Sequence, residues 1–295
     1  MTAIRPRRSA LYMPGSNARA VEKAKTLPAD AVIFDLEDAV APDLKAEARE
    51  AVCAAVKAGG YGIRELVIRI NGLATPWGEA DLEAAAGASP DAILIPKVSS
   101  PEDVLEAGRR LHVLGVPEKT RLWAMIETPL AILQAQAIAA VAQDEVSRLA
   151  CFVMGTNDLA KDTRARLNPG RAPMMPWLMT ALAAARAYGI DILDGVFNDL
   201  ADEAGFRREC AEGRDCGFDG KTLIHPHQIA VANEVFAPTA REVESARAIV
   251  SLFEQPENAG KGAISHNGRM VERLHAEMAR RTLALADAIA KKPEA

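Results

Sequence analysis

Two carboxylates, Glu127 and Asp158, each follow closely on a short apolar run, Leu122-Trp123-Ala124-Met125-Ile126 and Cys151-Phe152-Val153-Met154. Oxygen ligands from adjacent strands suit Mg2+, a hard cation that takes a few protein carboxylates and keeps its waters. On spacing alone a structural role stands level with a metal site. Asp158 opens a helical segment and would serve as its N-cap, and Glu127 would be an N-terminal helix residue before Pro129. Arg69, near the end of Leu66-Val67-Ile68-Arg69-Ile70, would either pair with a carboxylate across the site or clamp a substrate carboxylate with its two-pronged guanidinium. His225 and His227 stand two apart; on an extended segment they would face opposite ways, and no third ligand lies nearby, which argues against zinc.

These residues need strands to carry them. Besides the three runs above, Ala10–Met13, Ala31–Phe34, Ala92–Ile95, Ile190–Leu193 and Thr222–Ile224 read as strands. Their ends recur about every 30 residues, the size of one βα unit. Ala-rich segments between them, such as Pro129 to Val141 and Met179 to Tyr188, are good helix formers. Eight such units predict an α/β fold, a (β/α)8 TIM barrel; no GxGxxG follows the first strand to favour an open doubly wound sheet. Barrel enzymes build their sites at the C-terminal ends of the strands. Polar groups stand at every such end here, among them Asp35-Leu36-Glu37-Asp38, Asn71, Lys97 and Asp194. After the last strand, Ala240 to Glu254 and Arg269 to Lys291 read as helices, with a Gly- and Pro-containing joint at Gln255 to Gly268. The expected division is a catalytic barrel over 1–239, then a closing helix, hinge and helical lid over 240–295.

The 295 residues are 49% hydrophobic and 25% charged, which excludes a disordered chain or a small disulfide scaffold. A net charge of −5 argues against a general nucleic-acid partner. The four cysteines form no CxxC pair. With no 18-residue apolar run and no signal-peptide pattern at the start, no membrane association is expected and the expected location is cytoplasmic.

An ordered set of motifs carries a resemblance: Arg8-Ser9-Ala10-Leu11-Tyr12-Met13-Pro14-Gly15, Asp35-Leu36-Glu37-Asp38-Ala39-Val40, Arg69-Ile70-Asn71, Pro96-Lys97-Val98, Glu127-Thr128, and Gly217-Phe218-Asp219-Gly220-Lys221 running into Ile224-His225-Pro226. Together they resemble the citrate lyase beta-subunit family, which includes malyl-CoA and citramalyl-CoA lyases. The resemblance implies a metal-dependent barrel that cleaves or forms a carbon–carbon bond beta to a coenzyme A thioester. It implies Mg2+ on Glu127 and Asp158, Arg69 as the residue polarising the keto acid, and Tyr12, Arg19, Lys23, Ile224 and His225 as coenzyme A contacts. Glu37 and Asp38 fall where acidic residues hold water around the metal. Two departures stand out. Gly155-Thr156-Asn157-Asp158 has Asn157 where the family commonly has Glu, and Gly268-Arg269-Met270-Val271-Glu272 has Glu272 where it has a catalytic Asp.

The resulting expectation is a Mg2+-dependent lyase giving a keto acid and an acyl-CoA, with Glu272 protonating the enolate. The alternatives are a malyl-CoA thioesterase, a pyruvate-type aldolase without coenzyme A, and a non-catalytic or carrier-bound subunit of the citrate lyase beta type. The apolar stripe Met270, Val271, Leu274, Met278 and Ile289 has no evident place on its own barrel, so a homo-oligomer, a trimer by the resemblance, is expected with Glu272 acting in trans. Mixing inactive Glu127→Ala chains with inactive Glu272→Ala chains under subunit exchange should therefore restore activity. Mixtures as inactive as their components would mean that Glu272 does not act in trans.

Overall fold

Residues buried on both faces dominate eight runs that pair side by side, all parallel, in chain order. They are β1 (Ser9–Pro14), β2 (Ala31–Asp35), β3 (Glu65–Arg69), β4 (Ala92–Ile95), β5 (Arg121–Ile126), β6 (Leu149–Met154), β7 (Asp191–Asp194) and β8 (Gly220–Leu223). β8 closes back on β1, so the computed structural model shows the expected closed (β/α)8 barrel. It describes residues 4–258, 260–266 and 268–291. The chain divides into two compact units, Arg7–Asn233 and the residues from Glu234 onward together with Ile4–Pro6.

The barrel's helices are α1 (Ala18–Lys23), α2 (Lys45–Ala58), α3 (Gly78–Ala88), α4 (Pro101–Val113), α5 (Pro129–Leu133), α6 (Ala135–Ala140), α7 (Thr156–Thr163), α8 (Met175–Ala187) and α9 (Glu203–Cys216), and the unit ends within α10 (Gln228–Val235). Their starts follow local chemistry. Ser100 and Asp103 form a capping box on α4, and Thr128 caps α5 with Pro129 in its first turn. The expected helix over Pro129 to Val141 is instead two helices, broken at Gln134, whose backbone (φ −105°, ψ 9°) leaves the helical region.

Inside the barrel, Ile33, Leu94, Trp123, Val153 and Leu193 form one buried cluster. Below it Arg7 enters from the N-terminal side. Its guanidinium reaches Glu65 at 2.7 Å and Asp191 at 2.5 Å, the first residues of β3 and β7, and lies 5.0 Å from the Trp123 ring centroid. Arg7 stays charged because these carboxylates outweigh the burial that works to discharge it. The opposite end of the barrel stays open.

On the outer face of the barrel a second charged group is buried. Lys221 Nζ binds Asp194 at 2.9 Å and Glu209 of α9 at 2.7 Å, while Arg171 binds the other Asp194 oxygen at 2.7 Å and Glu212 at 2.8 Å. This ties α9 and the loop before α8 to β7 and β8. Asp194 neighbours the inward-pointing Leu193, so the alternation of the strand turns it outward, away from the mouth where its position at a strand end had placed it.

In the second unit α11 (Ala240–Glu254) has the expected bounds and starts on a Thr239–Glu242 capping box. The expected helix from Arg269 does not begin there. Arg269–Glu272 (β10) pairs antiparallel with Ala263–His266 (β9), and Gly268 at φ +73° lies in the connection. The helix α12 (Arg273–Ala290) begins only after the hairpin, and its buried residues are Ala276 and Ala279. Of the expected stripe, Val271 is buried while Met270, Leu274 and Met278 are exposed.

Trp123 is fully buried at the centre of the barrel. Trp123→Ala should lower unfolding free energy by about 3–5 kcal/mol, read from urea denaturation; a loss under about 1 kcal/mol would mean that the barrel core collapses around the gap.

Candidate active site

β2 and β3 pair so that Asp35 lies beside Arg69. Arg69 Nε and Nη2 donate to the two Asp35 oxygens at 2.7 and 2.6 Å. Asp35 also accepts the N–H groups of Glu37 (2.8 Å) and Ala39 (3.1 Å), which fixes the turn after β2. Lys45 Nζ and Asn71 Nδ2 donate to the Leu36 carbonyl, tightening the same turn.

Because Asp35 fills two prongs of the guanidinium, the bidentate substrate clamp is spent inside the protein. Among the described residues only Nη1 reaches further, to Glu37 Oε2 at 2.7 Å, Asp38 Oδ2 at 3.4 Å and Met125 Sδ at 3.7 Å. Burial works to discharge Arg69, but Asp35, Tyr12 and Glu37 outweigh it and hold its pKa above the ordinary value. Tyr12, expected among the coenzyme A contacts, lies under this cation, its ring centroid 4.9 Å from the guanidinium carbon. Burial and the neighbouring carboxylates raise its phenol pKa, with Arg69 opposing.

Glu37 is pushed up to about 8, chiefly by burial. Arg69 lowers it, but Asp35 already shares that cation, and the charges of Glu127 and Asp38 raise it again. Glu37 can therefore hold or release a proton near neutral pH. Asp38 is largely exposed.

Glu127 is 0% exposed. Its Oε1 accepts the Lys97 N–H at 2.7 Å, and its Oε2 has no hydrogen-bond partner among the described residues. It is neither helix cap nor first-turn residue, since Thr128 caps α5. Gly155 makes room for it: a Cβ there would stand 2.3 Å from Glu127 Cβ and 2.6 Å from Oε2. Burial raises the Glu127 pKa, opposed by Lys97. Asp158 is in the first turn of α7, whose N-cap is Gly155. Lys97 Nζ reaches both carboxylates, at 2.8 Å from Asp158 Oδ2 and 3.6 Å from Glu127 Oε1. A cation thus already sits against the pair, and the buried Oε2 still lacks a partner, as expected of residues that hold a hard divalent ion. Among the described residues no group of three His, Cys, Asp or Glu is placed for a metal, so the remaining ligands would be waters or substrate oxygens.

Tyr12, Arg69, Glu127, Asp158, Thr222 and Ile224 are among the residues lining one cavity of about 380 Å3 at the open end of the barrel. Arg19 and Lys23 lie on α1, exposed and without ion-pair partners among the described residues. Lys23 is near enough to His225 to help lower its pKa, after burial and His227. The N–H groups of Ile224 and His225 both donate to Gln228 Oε1, at 3.0 and 3.2 Å, and Gln228 Nε2 donates to the Phe197 carbonyl at 3.1 Å. The His225 and His227 rings do not diverge as on an extended chain: a turn brings their centroids to 4.3 Å. Glu272 caps α12 in the second unit, its N–H donating to His275 Nδ1 at 2.9 Å.

The barrel unit thus gathers Tyr12, Glu37, Asp38, Arg69, Glu127, Asp158 and Ile224 around the mouth. The sequence reading placed Asp35 and Lys97 at strand ends without giving either a role, and it did not name Gln228. Asp35 and Lys97 carried a signal, being charged residues at the ends of β2 and β4; Gln228 carried none, because its role depends on a reach to Phe197.

Such a site on such a barrel defines a class, and comparison with known proteins agrees. The pattern of the HpcH/HpaI aldolase/citrate lyase family matches residues 8–226. The chain belongs to this family. It is 52% identical over 285 residues, 97% of its length and 96% of the relative's, to a (3S)-malyl-CoA thioesterase of Cereibacter sphaeroides. It is 37% identical over 288 residues, 96% of its length and 94% of the relative's, to the citrate lyase subunit beta of Escherichia coli K12. Among solved structures, the CitE protein of Mycobacterium tuberculosis in complex with magnesium, acetoacetate and coenzyme A is similar, with a TM-score of 0.75 and 28% identity over 97% of this chain and all of that one.

With a folded-state pKa of about 8 against an ordinary 4.5, Glu37 keeps its proton in the folded protein while the unfolded chain has lost it. Its contribution to stability is therefore complete below about pH 4.5 and falls away as pH rises through 8. In EDTA, Glu37→Gln should lose less stability than the parent between pH 5 and 9, measured by urea midpoints; identical slopes would mean that Glu37 is ionised throughout.

Proposed function

We propose that this chain is a Mg2+-dependent hydrolase of a malyl-CoA-type thioester, in which a 3-hydroxy dicarboxylic acyl group is carried on coenzyme A. The observation that carries the reading is the 52% identity, along 97% of the chain, to relatives named (3S)-malyl-CoA thioesterase. The geometry agrees with it: a cavity holding a buried carboxylate pair, one outward guanidinium nitrogen and a carboxyl that titrates near neutrality.

Glu127 and Asp158 would hold the ion. When bound, Mg2+ supplies Lewis-acid polarisation of a substrate oxygen. The chain's own groups do the rest. Asp35 keeps the guanidinium of Arg69 in one orientation, and Arg69 Nη1 stabilises negative charge developing on the substrate. Glu37 in its ionised form accepts a proton from water as the water oxygen adds to the thioester carbon. The carbon–sulfur bond then breaks, and the proton ends on the thiolate, giving free coenzyme A and the hydroxy diacid. Arg19 and Lys23 offer exposed charge to the nucleotide phosphates. The Gln228 amide holds the Ile224–His225 segment for the thioester arm.

A second reading, a carbon–carbon lyase on the same substrate, is favoured by the 37% identity to the citrate lyase subunit beta. There the hydroxyl proton leaves, the bond between the hydroxyl-bearing carbon and its CH2 neighbour breaks, and glyoxylate and an acetyl-CoA enolate form. Glu272 of a neighbouring copy in a trimer would return a proton to the enolate carbon.

Product analysis separates the two. Malyl-CoA with Mg2+ should release one free thiol per substrate and no glyoxylate, and EDTA should stop the release. Glyoxylate and acetyl-CoA in equal amounts without free thiol would establish the lyase instead. Glu127→Ala should lower turnover on the order of 10^3-fold, the loss of several kcal/mol of transition-state stabilisation; undiminished turnover would overturn both readings.

A further inference from the structure

Lys97 follows β4 and Pro96 with a φ of +56°, a left-handed backbone that favours glycine over any residue with a side chain. The strain sits beside the carboxylate pair. From this conformation the Lys97 N–H donates to Glu127 Oε1 at 2.7 Å, and the side chain turns back to set Nζ 2.8 Å from Asp158 Oδ2 and 3.6 Å from Glu127 Oε1. The two groups of Lys97 have different freedom. The N–H is part of the backbone and stays on Glu127. The ammonium is on a flexible stem that is 41% exposed and has water to move into, whereas Glu127 is fully buried and cannot follow. Lys161 Nζ lies 3.8 Å from Asp158 Oδ1, but its side chain is 75% exposed and it stands on Asp158 alone, and Glu127 Oε2 has no hydrogen-bond partner among the described residues.

We propose that Lys97 is a tethered counter-ion for Glu127 and Asp158, which holds the pair together when no divalent ion is bound and must swing out for one to bind. The inference rests on the reading of Glu127 and Asp158 as the Mg2+ ligands. It makes metal affinity a property of Lys97. Only the fraction of molecules with Nζ withdrawn can take the ion, and the apparent dissociation constant rises by the inverse of that fraction. Lys97 is thus a positioning residue that keeps two like charges together and makes the site selective for an ion of higher charge than its own.

The test is Mg2+ titration by calorimetry at fixed ionic strength, with thermal midpoints in EDTA and in saturating Mg2+. It uses the full chain and two variants. Lys97→Gly removes the ammonium, relieves the backbone and keeps the N–H on Glu127; Lys97→Met keeps the stem. Both should bind Mg2+ about tenfold more tightly, melt lower than the parent in EDTA, and gain more from Mg2+ than the parent does. Equal or weaker Mg2+ binding by Lys97→Gly overturns the proposal while leaving the metal reading intact. No Mg2+ binding by parent or variants, all of them folded, overturns both.

Discussion

A carboxylate taken wholly out of water is costly unless its surroundings return what the solvent supplied, and at Glu127 they return only part of it. One oxygen is held by a backbone N–H; the other is buried with no hydrogen-bond partner among the described residues. The rest of the mouth follows from this. The missing side chain of Gly155 makes the space, Thr128 takes over the capping that Glu127 would otherwise perform, and Lys97 brings charge from the neighbouring strand end. The result is a site whose electrostatics are unfinished in the protein alone.

Arg69 shows the complementary arrangement. Its charge is the most heavily shared in the mouth, with Asp35 in bidentate contact, Glu37 and Asp38 on the third nitrogen, and the Tyr12 ring beneath. Rigidity is gained at the expense of reach, since the geometry that fixes the guanidinium also removes most of its donors from any ligand. Glu37 keeps an elevated pKa despite an ion pair at 2.7 Å because burial outweighs the pull of a cation that Asp35 already shares.

Period and polarity were enough to find the barrel. Each of its strands announced itself as an apolar run with a charged or turn-forming end, and a parallel strand buried on both faces has few other ways to be written. Glu127 and Asp158 were legible for the same reason, because both stand just past the ends of strands. What depends on three-dimensional reach was not. Spacing could not tell that Asp194 turns outward to Lys221, that the Arg69 fork is filled from inside, or that Gln228 spans to the Phe197 carbonyl. The β9–β10 hairpin was hidden because Met270 and Val271 continue the helical spacing of Leu274 and Met278 in α12, and only the pairing across Gly268 sets them apart.

The charged plug of Arg7, Glu65 and Asp191 beneath Trp123 closes the lower end of the barrel. Among the described residues, the way into the cavity is from the C-terminal ends of the strands. Anything lodged beneath a larger ligand there is kept from the floor by the plug, and how long it stays is set by how fast that ligand leaves.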